Sequence, residues 1–503
     1  MRARRAPVGP LAATLALAAT ALGCSAVARV EPVSVPIAPP PAFAAAEGDA
    51  SGPPLGADWW RGFDDPRLDA LIVEALERNW DLAAAAARVE AARAAARVQG
   101  ADLAPQIGAG LSSRRARQSF IGLPIPGREG SVLSTTSTSS ALSFSVSWEA
   151  DLWGRLRTLR SAARADARAT EAELEAARLS LAGQVARAYF AGVELGQQLG
   201  LAERTLDSRR RTLERVQARY ERGLSPPLEV RLARTQLELV AAAVAARRQQ
   251  LDAALRQLEV LLGRYPRADV ERADSLPAPG PPVPPGLPSE LLARRPDLAA
   301  AEQRVVAALA DLGAARASLL PQLSLTGSTG TASAELQDLL DADLSVWSLA
   351  ANLLQPLFQG GRLRAGVDLA AAGRDQATAA WAQAALRAFS EVETGLAAER
   401  FLDQRLAAGE RAAEEAERAA RLAEERYLAG LADYLSVLES QRQAFDSQSQ
   451  LLAVRRERLA ARVDLVLALG GDFAPGLDRP PPSRAADALA AAPDRSPEVP
   501  DVR

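Results

Sequence analysis

Histidine is absent from the 503 residues, and cysteine and methionine occur once each, as Cys24 and the initiator. Imidazole catalysis, disulfides and cysteine zinc sites are therefore excluded by counting. Lysine is absent too, so all 59 basic residues are arginine. With lysine go Schiff-base chemistry and the phosphate loop that depends on it. Aromatic residues make up only 4% of the chain, too few for a bulky globular core. What abounds is alanine, leucine and arginine, which suits long helices packed through small side chains. A net charge of -3 is too near balance to imply a nucleic-acid partner.

Arg2, Arg4 and Arg5 precede an uncharged, mostly apolar run, Leu11 to Gly23, that stops at Cys24. The run is too short to span a bilayer, and residues 1–23 have the form of a signal peptide. Ala21-Leu22-Gly23-Cys24 resembles a bacterial lipobox, with Ala21 where leucine is commoner, and the resemblance makes Cys24 the lipidated new N-terminus. Ser25 stands where an aspartate would hold a lipoprotein in the inner membrane, so the resemblance points to the outer one. Residues 24–57, rich in Pro, Ala and Gly, read as an extended lipidated arm, and 472–503 as a disordered tail.

Between these ends the chain repeats itself. Asp81-Leu82-Ala83-Ala84-Ala85 recurs as Asp297-Leu298-Ala299-Ala300-Ala301, and Pro105-Gln106 as Pro321-Gln322, at an offset of 216. Gly154-Arg155-Leu156-Arg157 matches Gly361-Arg362-Leu363-Arg364, Arg219-Tyr220 matches Arg426-Tyr427, and Leu262-Gly263 matches Leu469-Gly470, at 207. One length change in a loop between Pro105 and Gly154 leaves two copies of one unit. The expected organisation is a first repeat over 58–263, a proline-rich linker over 264–289 and a second repeat over 290–471.

Inside each copy the pattern switches from helical to strand-like and back. Leu142, Phe144, Val146 and Trp148 alternate with Ser143, Ser145 and Ser147, the period-two signature of a strand between lipid and water. Ile107, Ala109 and Leu111 alternate with Gln106, Gly108, Gly110 and Ser112, and Gly122 to Ser140 is expected to join the two strands as a long hairpin loop. The second copy offers Leu323, Leu325 and Gly327 against Gln322, Ser324 and Thr326. A weaker strand follows around Asp343 to Gln355, with its register open because Trp347 and Leu349 fall opposite Val346. Four strands cannot close a transmembrane barrel, and an open edge in hydrocarbon leaves backbone groups unpaired at several kcal/mol each. Several chains must contribute, two at the least, and three give twelve strands.

Leu152 to Arg222 and Arg362 to Ala429 are free of proline, and as helices each spans roughly 100 Å. Leu174, Leu181, Ala188 and Leu195 stand seven apart, and a four-residue shift opens a second series, Leu199, Leu206, Leu213 and Tyr220. The returning runs, Leu228 to Leu262 and Asp433 to Leu469, are about half as long. Residues 290 to 319 can complete the first return and an N-terminal helix, 67 to 103, the second. Two long helices, each flanked by two stacked half-helices, then make a cylinder wall closed by symmetry, with the proline-rich 265–288 at mid-height.

Gly286-Leu287-Pro288-Ser289-Glu290-Leu291-Leu292-Ala293-Arg294-Arg295-Pro296-Asp297-Leu298 resembles the signature of TolC-type outer-membrane efflux lipoproteins, the NodT and OprM branch. Ser147-Trp148-Glu149-Ala150-Asp151-Leu152-Trp153-Gly154-Arg155 and Pro356-Leu357-Phe358-Gln359-Gly360-Gly361-Arg362 are similar to its strand-to-helix junctions. The resemblance covers roughly 58 to 472. It implies a mostly α protein with a β-barrel part: a homotrimer with a twelve-stranded outer-membrane barrel and a twelve-helix periplasmic tunnel. The implied partners are a periplasmic adaptor protein, an inner-membrane pump of the resistance-nodulation-division type, and outer-membrane lipid. The implied task is passive export of small toxic molecules from a Gram-negative cell. A type I secretion exit duct is an alternative, and a non-conducting periplasmic coiled-coil scaffold a rival from another class; the amphipathic strands speak against the scaffold.

No enzyme, cofactor or metal site is expected. Carboxylate pairs such as Glu414 and Glu415 read as solvated helix faces, and no phosphate loop, metal spacing or nucleophile elbow occurs. The lack of histidine, and of methionine after the initiator, argues against a soft-metal path. The helix reversals, Tyr220 to Leu228 and Tyr427 to Leu435, are the expected adaptor contacts, with Gly223 and Gly430 ending the helices and Leu224 and Leu431 at the tips. A gate is implied by resemblance at the same end, with Leu435 as an apolar ring, Glu439 as an acidic ring, and Arg442 and Tyr427 as latches. Leu435, Glu439 and Arg442 are four and three apart and share a helix face; an ordinary surface pair satisfies the same spacing.

Overall fold

A computed structural model describes residues 39–46, 58–120, 133–280 and 283–471. The signal peptide, Cys24, most of the arm and the tail 472–503 lie outside the described residues. A short 3-10 turn, Trp59–Phe63, leads into α1 (Pro66–Arg78) and α2 (Trp80–Ala101). Next come β1 (Gln106–Phe120), β2 (Leu133–Ala150), α3 (Arg155–Glu221) and α4 (Pro227–Leu261). The second copy runs α5 (Pro288–Arg294), α6 (Pro296–Ala317), β3 (Gln322–Ser333), β4 (Ser345–Leu354), α7 (Arg362–Leu428) and α8 (Tyr434–Ala468). The two long helices have 67 residues each and their return helices 35 each, so the repeat is kept in the elements.

The chain divides into two compact units, taken here in turn. One is formed by Glu90–Ala169 and Glu302–Ala380 and holds an antiparallel sheet in the order β1-β2-β3-β4. Pairing runs without a bulge from Gln106 opposite Ser147 to Phe120 opposite Leu133, so parity is kept along the whole hairpin. Ile107, Ala109 and Leu111 share a face with Val146, Phe144 and Leu142. Across β3, where Val146 meets Gly327 and Gly327 meets Leu349, the same face continues to Trp347, Leu349, Ala351 and Leu353. The register left open in the fourth strand is thus decided: Val346 sits on the other face, opposite Gly330, beside Ser143 and Gly110. The apolar side chains are exposed, Trp347 to 77% and Leu349 to 79%. The opposite face is small and hydroxylated, with Ser328 and Ser348 hydrogen-bonded at 2.8 Å.

The hairpin differs from expectation in length. Residues Leu133 to Ser140, read as loop, are strand, and β1 continues to Phe120. A run of Ser and Thr has no apolar face for period-two analysis to detect, yet threonine favours strands and cross-strand bonds join Ser113 to Ser140 (3.0 Å) and Arg117 to Ser134 (3.0 Å). The junction into α3 is firmly held. Asp151 accepts the Leu156 and Arg157 amides at 3.0 Å each, Glu149 takes a two-pronged bond from Arg155, and the Trp153 indole donates to the Pro321 carbonyl at 2.7 Å. These bonds satisfy the helix N-terminus where the chain leaves the sheet.

The other unit comprises, of the described residues, 39–46, 58–89, 170–280, 283–301 and 381–471. Its largest core packs Leu68, Ile72 and Leu82 of the N-terminal helices against Val185, Tyr189, Phe190 and Val193 of α3, Leu258 of α4, and Leu459 and Val463 of α8. A second core joins Leu291 and Leu298 to Ala385, Ala388 and Val392 of α7 and Leu465 of α8. Phe43, from the arm read as merely extended, is buried in that second core, and Glu393 accepts the Ala44 and Ala45 amides at 2.7 and 2.8 Å.

Two expectations for the half-helices are corrected. The N-terminal helix 67–103 is broken at Asn79, whose backbone is extended. Its side chain accepts from Leu82 N (3.0 Å) and donates to Leu261 O (2.9 Å). The 290–319 segment breaks at the repeat-equivalent Arg295, ahead of Pro296. The stacking partners are also exchanged. The α1–α2 break abuts the end of α4, where a side chain on Gly263 (φ +71) would run into the Arg78 carbonyl. The α5–α6 break abuts the end of α8, where Gly470 (φ +87) approaches the Arg294 carbonyl and Arg295 donates to Ala468 O (3.0 Å). Each half-helix therefore completes the return of its own repeat. Arg295 also binds Asp297 and Glu391 at 2.8 and 2.6 Å; burial alone would lower its pKa, and the Asp297 carboxylate raises it instead.

Candidate functional site

The two helix reversals, α3 to α4 and α7 to α8, are built alike. Gly223 N donates to Tyr220 O (2.8 Å) and Leu224 N to Arg219 O (2.9 Å); Gly430 N donates to Tyr427 O (3.0 Å) and Leu431 N to Arg426 O (2.8 Å). Both glycines have positive φ, 75° and 73°, the left-handed helix end that glycine adopts without strain. Leu224 and Leu431 project into solvent, 61% and 70% exposed. Proline at Pro226 and Pro227 starts α4, while Asp433 caps α8 by accepting from Ser436 N (2.9 Å).

A small core beneath the reversals contains Val216, Val230, Ala233, Tyr427, Tyr434, Val437 and Leu438. Tyr427 is buried in it, and its hydroxyl donates to Glu229 Oε2 at 2.7 Å. The Ser225 hydroxyl is 3.4 Å away, and the Arg219 guanidinium lies 5.0 Å above the ring. Burial first, then the Glu229 carboxylate, pushes the Tyr427 phenol above its ordinary pKa. Tyr434 packs against Tyr427 with ring centres 5.5 Å apart and is pushed up to about 12 by burial, with Arg209 opposing. Arg209 is itself buried and reaches Gln441. Arg215 pairs with Glu424 across α3 and α7. Below the tip, Arg455–Glu410, Arg405–Glu457, Arg458–Asp403 and Arg462–Glu399 tie α8 to α7 as a ladder of ion pairs.

Leu435, Glu439 and Arg442 lie on one exposed face of α8, with Leu435 64% exposed. Arg442 binds Glu439 at 2.6 Å and Asp446 at 2.9 Å, which lowers the Glu439 carboxyl and raises the guanidinium. Within one chain Arg442 and Tyr427 are therefore held by different partners. Glu229, Ser225, Arg219, Arg209 and Asp446 were not singled out from the sequence. No repeat signal pointed to Glu229: the 207 offset that maps Tyr220 onto Tyr427 maps Glu229 onto Ser436, so the tyrosine and its acceptor come from different repeats.

No helix among the described residues is long and apolar enough to cross a membrane. The family described as outer membrane efflux protein matches residues 71–264 and 287–471, the two repeats. The pyoverdine export outer membrane protein OpmQ of Pseudomonas putida is 35% identical over 413 residues, covering 80% of this chain and 84% of its own. Outer membrane protein OprJ of Pseudomonas aeruginosa is 34% identical over 394 residues, covering 76% and 79%. A crystal structure of a membrane protein from Pseudomonas aeruginosa superposes with a TM-score of 0.80 at 33% identity, over 90% of this chain and 99% of that one. The repeats, the sheet and these likenesses agree, and the chain belongs to the outer membrane efflux protein family.

Proposed function

We propose that three copies of this protein form the outer-membrane duct of a tripartite efflux system, a passive exit for small toxic molecules delivered by an inner-membrane pump through a periplasmic adaptor. The observation that carries the reading is the unbroken sheet register. It places Ile107, Leu111, Leu142, Phe144, Val146, Trp148, Leu325, Trp347, Leu349 and Leu353 on one face and mostly small or polar residues on the other, where Val346 and Leu354 are exceptions. Among the described residues, strands β1 and β4 each lack a second neighbour, and neither edge is tolerable in lipid until another chain pairs with it. Three chains close twelve strands, within the range of known barrels. Cys24 supplies a lipid anchor, and the exposed Leu224 and Leu431 reversals dock the adaptor.

The gate lies at those reversals. Tyr427 to Glu229 holds α7 and α8 against α4, while Leu435 and Glu439 line the axis and Arg442 lowers the cost of crowding three carboxylates there. The function is conduction, and no step of it requires a cofactor. Detergent-solubilised protein is expected to be trimeric and to conduct ions in a planar bilayer. A stable, folded, water-soluble monomer without lipid would overturn the reading.

A further inference from the structure

We infer that the outward face of the β1–β2 hairpin binds the phosphate groups of outer-leaflet lipopolysaccharide through Arg115 and Arg117. The inference rests on the sheet being the membrane-spanning part of the chain. Because β1 and β2 pair without a bulge from Gln106 to Phe120, side-chain parity is conserved over the whole hairpin. Arg115 and Arg117 therefore share a face with Ile107, Leu111, Phe144 and Val146, while Arg114 is on the opposite one.

The order along that face is informative. The apolar residues end at the Leu111–Leu142 pair. Ser113 and Ser140 follow and bond to each other at 3.0 Å. Next come Arg115 opposite Thr138 and Arg117 opposite Thr136. Four residues at about 3.4 Å each put Arg115 about 14 Å along the strand beyond Leu111, where hydrocarbon gives way to headgroups. Pairing of β2 with β3 stops at Ser140, so this part of the hairpin stands clear of β3 and β4. Both arginines are exposed.

On the described strand residues beyond Leu111 and Leu142, the charged side chains are all arginine. The only carboxylate on either strand is Glu149, at the other end and engaged by Arg155. Glu335, Asp338, Asp341 and Asp343 belong to the link between β3 and β4, whose 3-10 turn, Leu336–Leu340, packs on β2 and β3, and none of them is on β1 or β2. Guanidinium groups beside a row of threonine and serine hydroxyls suit phosphate, which takes several hydrogen bonds at once. Joined to an apolar band below, they match a lipid whose headgroup carries phosphate directly above its acyl chains.

The test uses the full-length detergent-solubilised protein and native mass spectrometry with two probes, bisphosphorylated lipid A and the same lipid without its phosphates. Wild type is expected to prefer the phosphorylated lipid by about tenfold or more. The R115S/R117S double variant should lose that preference, whereas R114S should keep it, since its side chain faces the other way. Bilayer conductance of the double variant should match wild type, so failure of the inference is separable from failure of the channel reading. An undiminished preference in R115S/R117S, an equal loss in R114S, or competition by inorganic phosphate at the concentration of the lipid would each overturn it.

Discussion

Replacing Tyr427 by Phe removes one hydroxyl and leaves the ring, its packing on Tyr434 and the Arg219 cation above it in place. The hydroxyl donates at 2.7 Å to a carboxylate, Glu229, from a residue only 5% exposed. Hydrogen bonds to charged groups contribute about 1.5–3 kcal/mol. Glu229 is half-buried rather than enclosed, so water can partly replace the lost donor and the lower figure, about 1.5 kcal/mol, applies per chain. A change of about 1.4 kcal/mol is tenfold in an equilibrium constant. If the three chains release together, the closed-to-open ratio should fall by roughly a thousandfold; if they release singly, by roughly tenfold per chain. Open-state occupancy in single-channel recordings reads this directly, and sensitivity of cells to large antibiotics reads it in vivo. Tyr434→Phe is the control, because the Tyr434 hydroxyl is buried with no hydrogen-bond partner among the described residues and its loss should leave closure unchanged. Wild-type occupancy in Tyr427→Phe, or equal opening by both variants, would refute the latch.

At the reversals, Leu224→Asp or Leu431→Asp should abolish export measured by dye efflux while trimer yield and membrane insertion stay normal, since both side chains project into solvent. Asn79→Ala should cost about 2 kcal/mol in thermal unfolding by removing a helix cap and the bond to Leu261 O, and Asn79→Asp should recover the cap alone. Alkali should loosen the tip. The phenols of Tyr427 and Tyr434 are raised above the ordinary value of 10.0, Tyr434 to about 12. The folded state thus holds protons that the unfolded chain releases, so stability is complete below pH 10 and falls between pH 10 and about 12, which a pH series of thermal melts will check. Val146→Arg should prevent stable insertion, at about 2–4 kcal/mol for a cation at mid-bilayer, whereas Ser145→Arg, on the opposite face, should insert and shift ion selectivity in bilayer recordings.

Most of the architecture is legible in local patterns. The Leu142-to-Trp148 alternation, the proline-free runs behind α3 and α7, and the offsets of 216 and 207 needed no long-range information. The reading went wrong where the pattern is silent. Leu133 to Ser140 carries hydroxyls on both faces, so nothing marked it as strand. Asn79 interrupts a helical run with no Gly or Pro beside it; its cap on Leu82 N starts the next helix, and its bond to Leu261, 182 residues away, anchors the break.

Sequence by itself determined the kind of element at almost every position, the twofold repeat, and a four-stranded sheet that one chain cannot close. Each follows from interactions between residues near in sequence, which periodicity records. Tertiary structure decided what two similar repeats leave degenerate. Either half-helix could have stacked on either return helix, and the close approaches at Gly263 and Gly470 selected one arrangement. The face of the fourth strand was decided by pairing with β3, because its own alternation is broken. The acceptor for Tyr427 is Glu229, 198 positions distant, and a hydrogen bond between two repeats leaves no periodic trace in either.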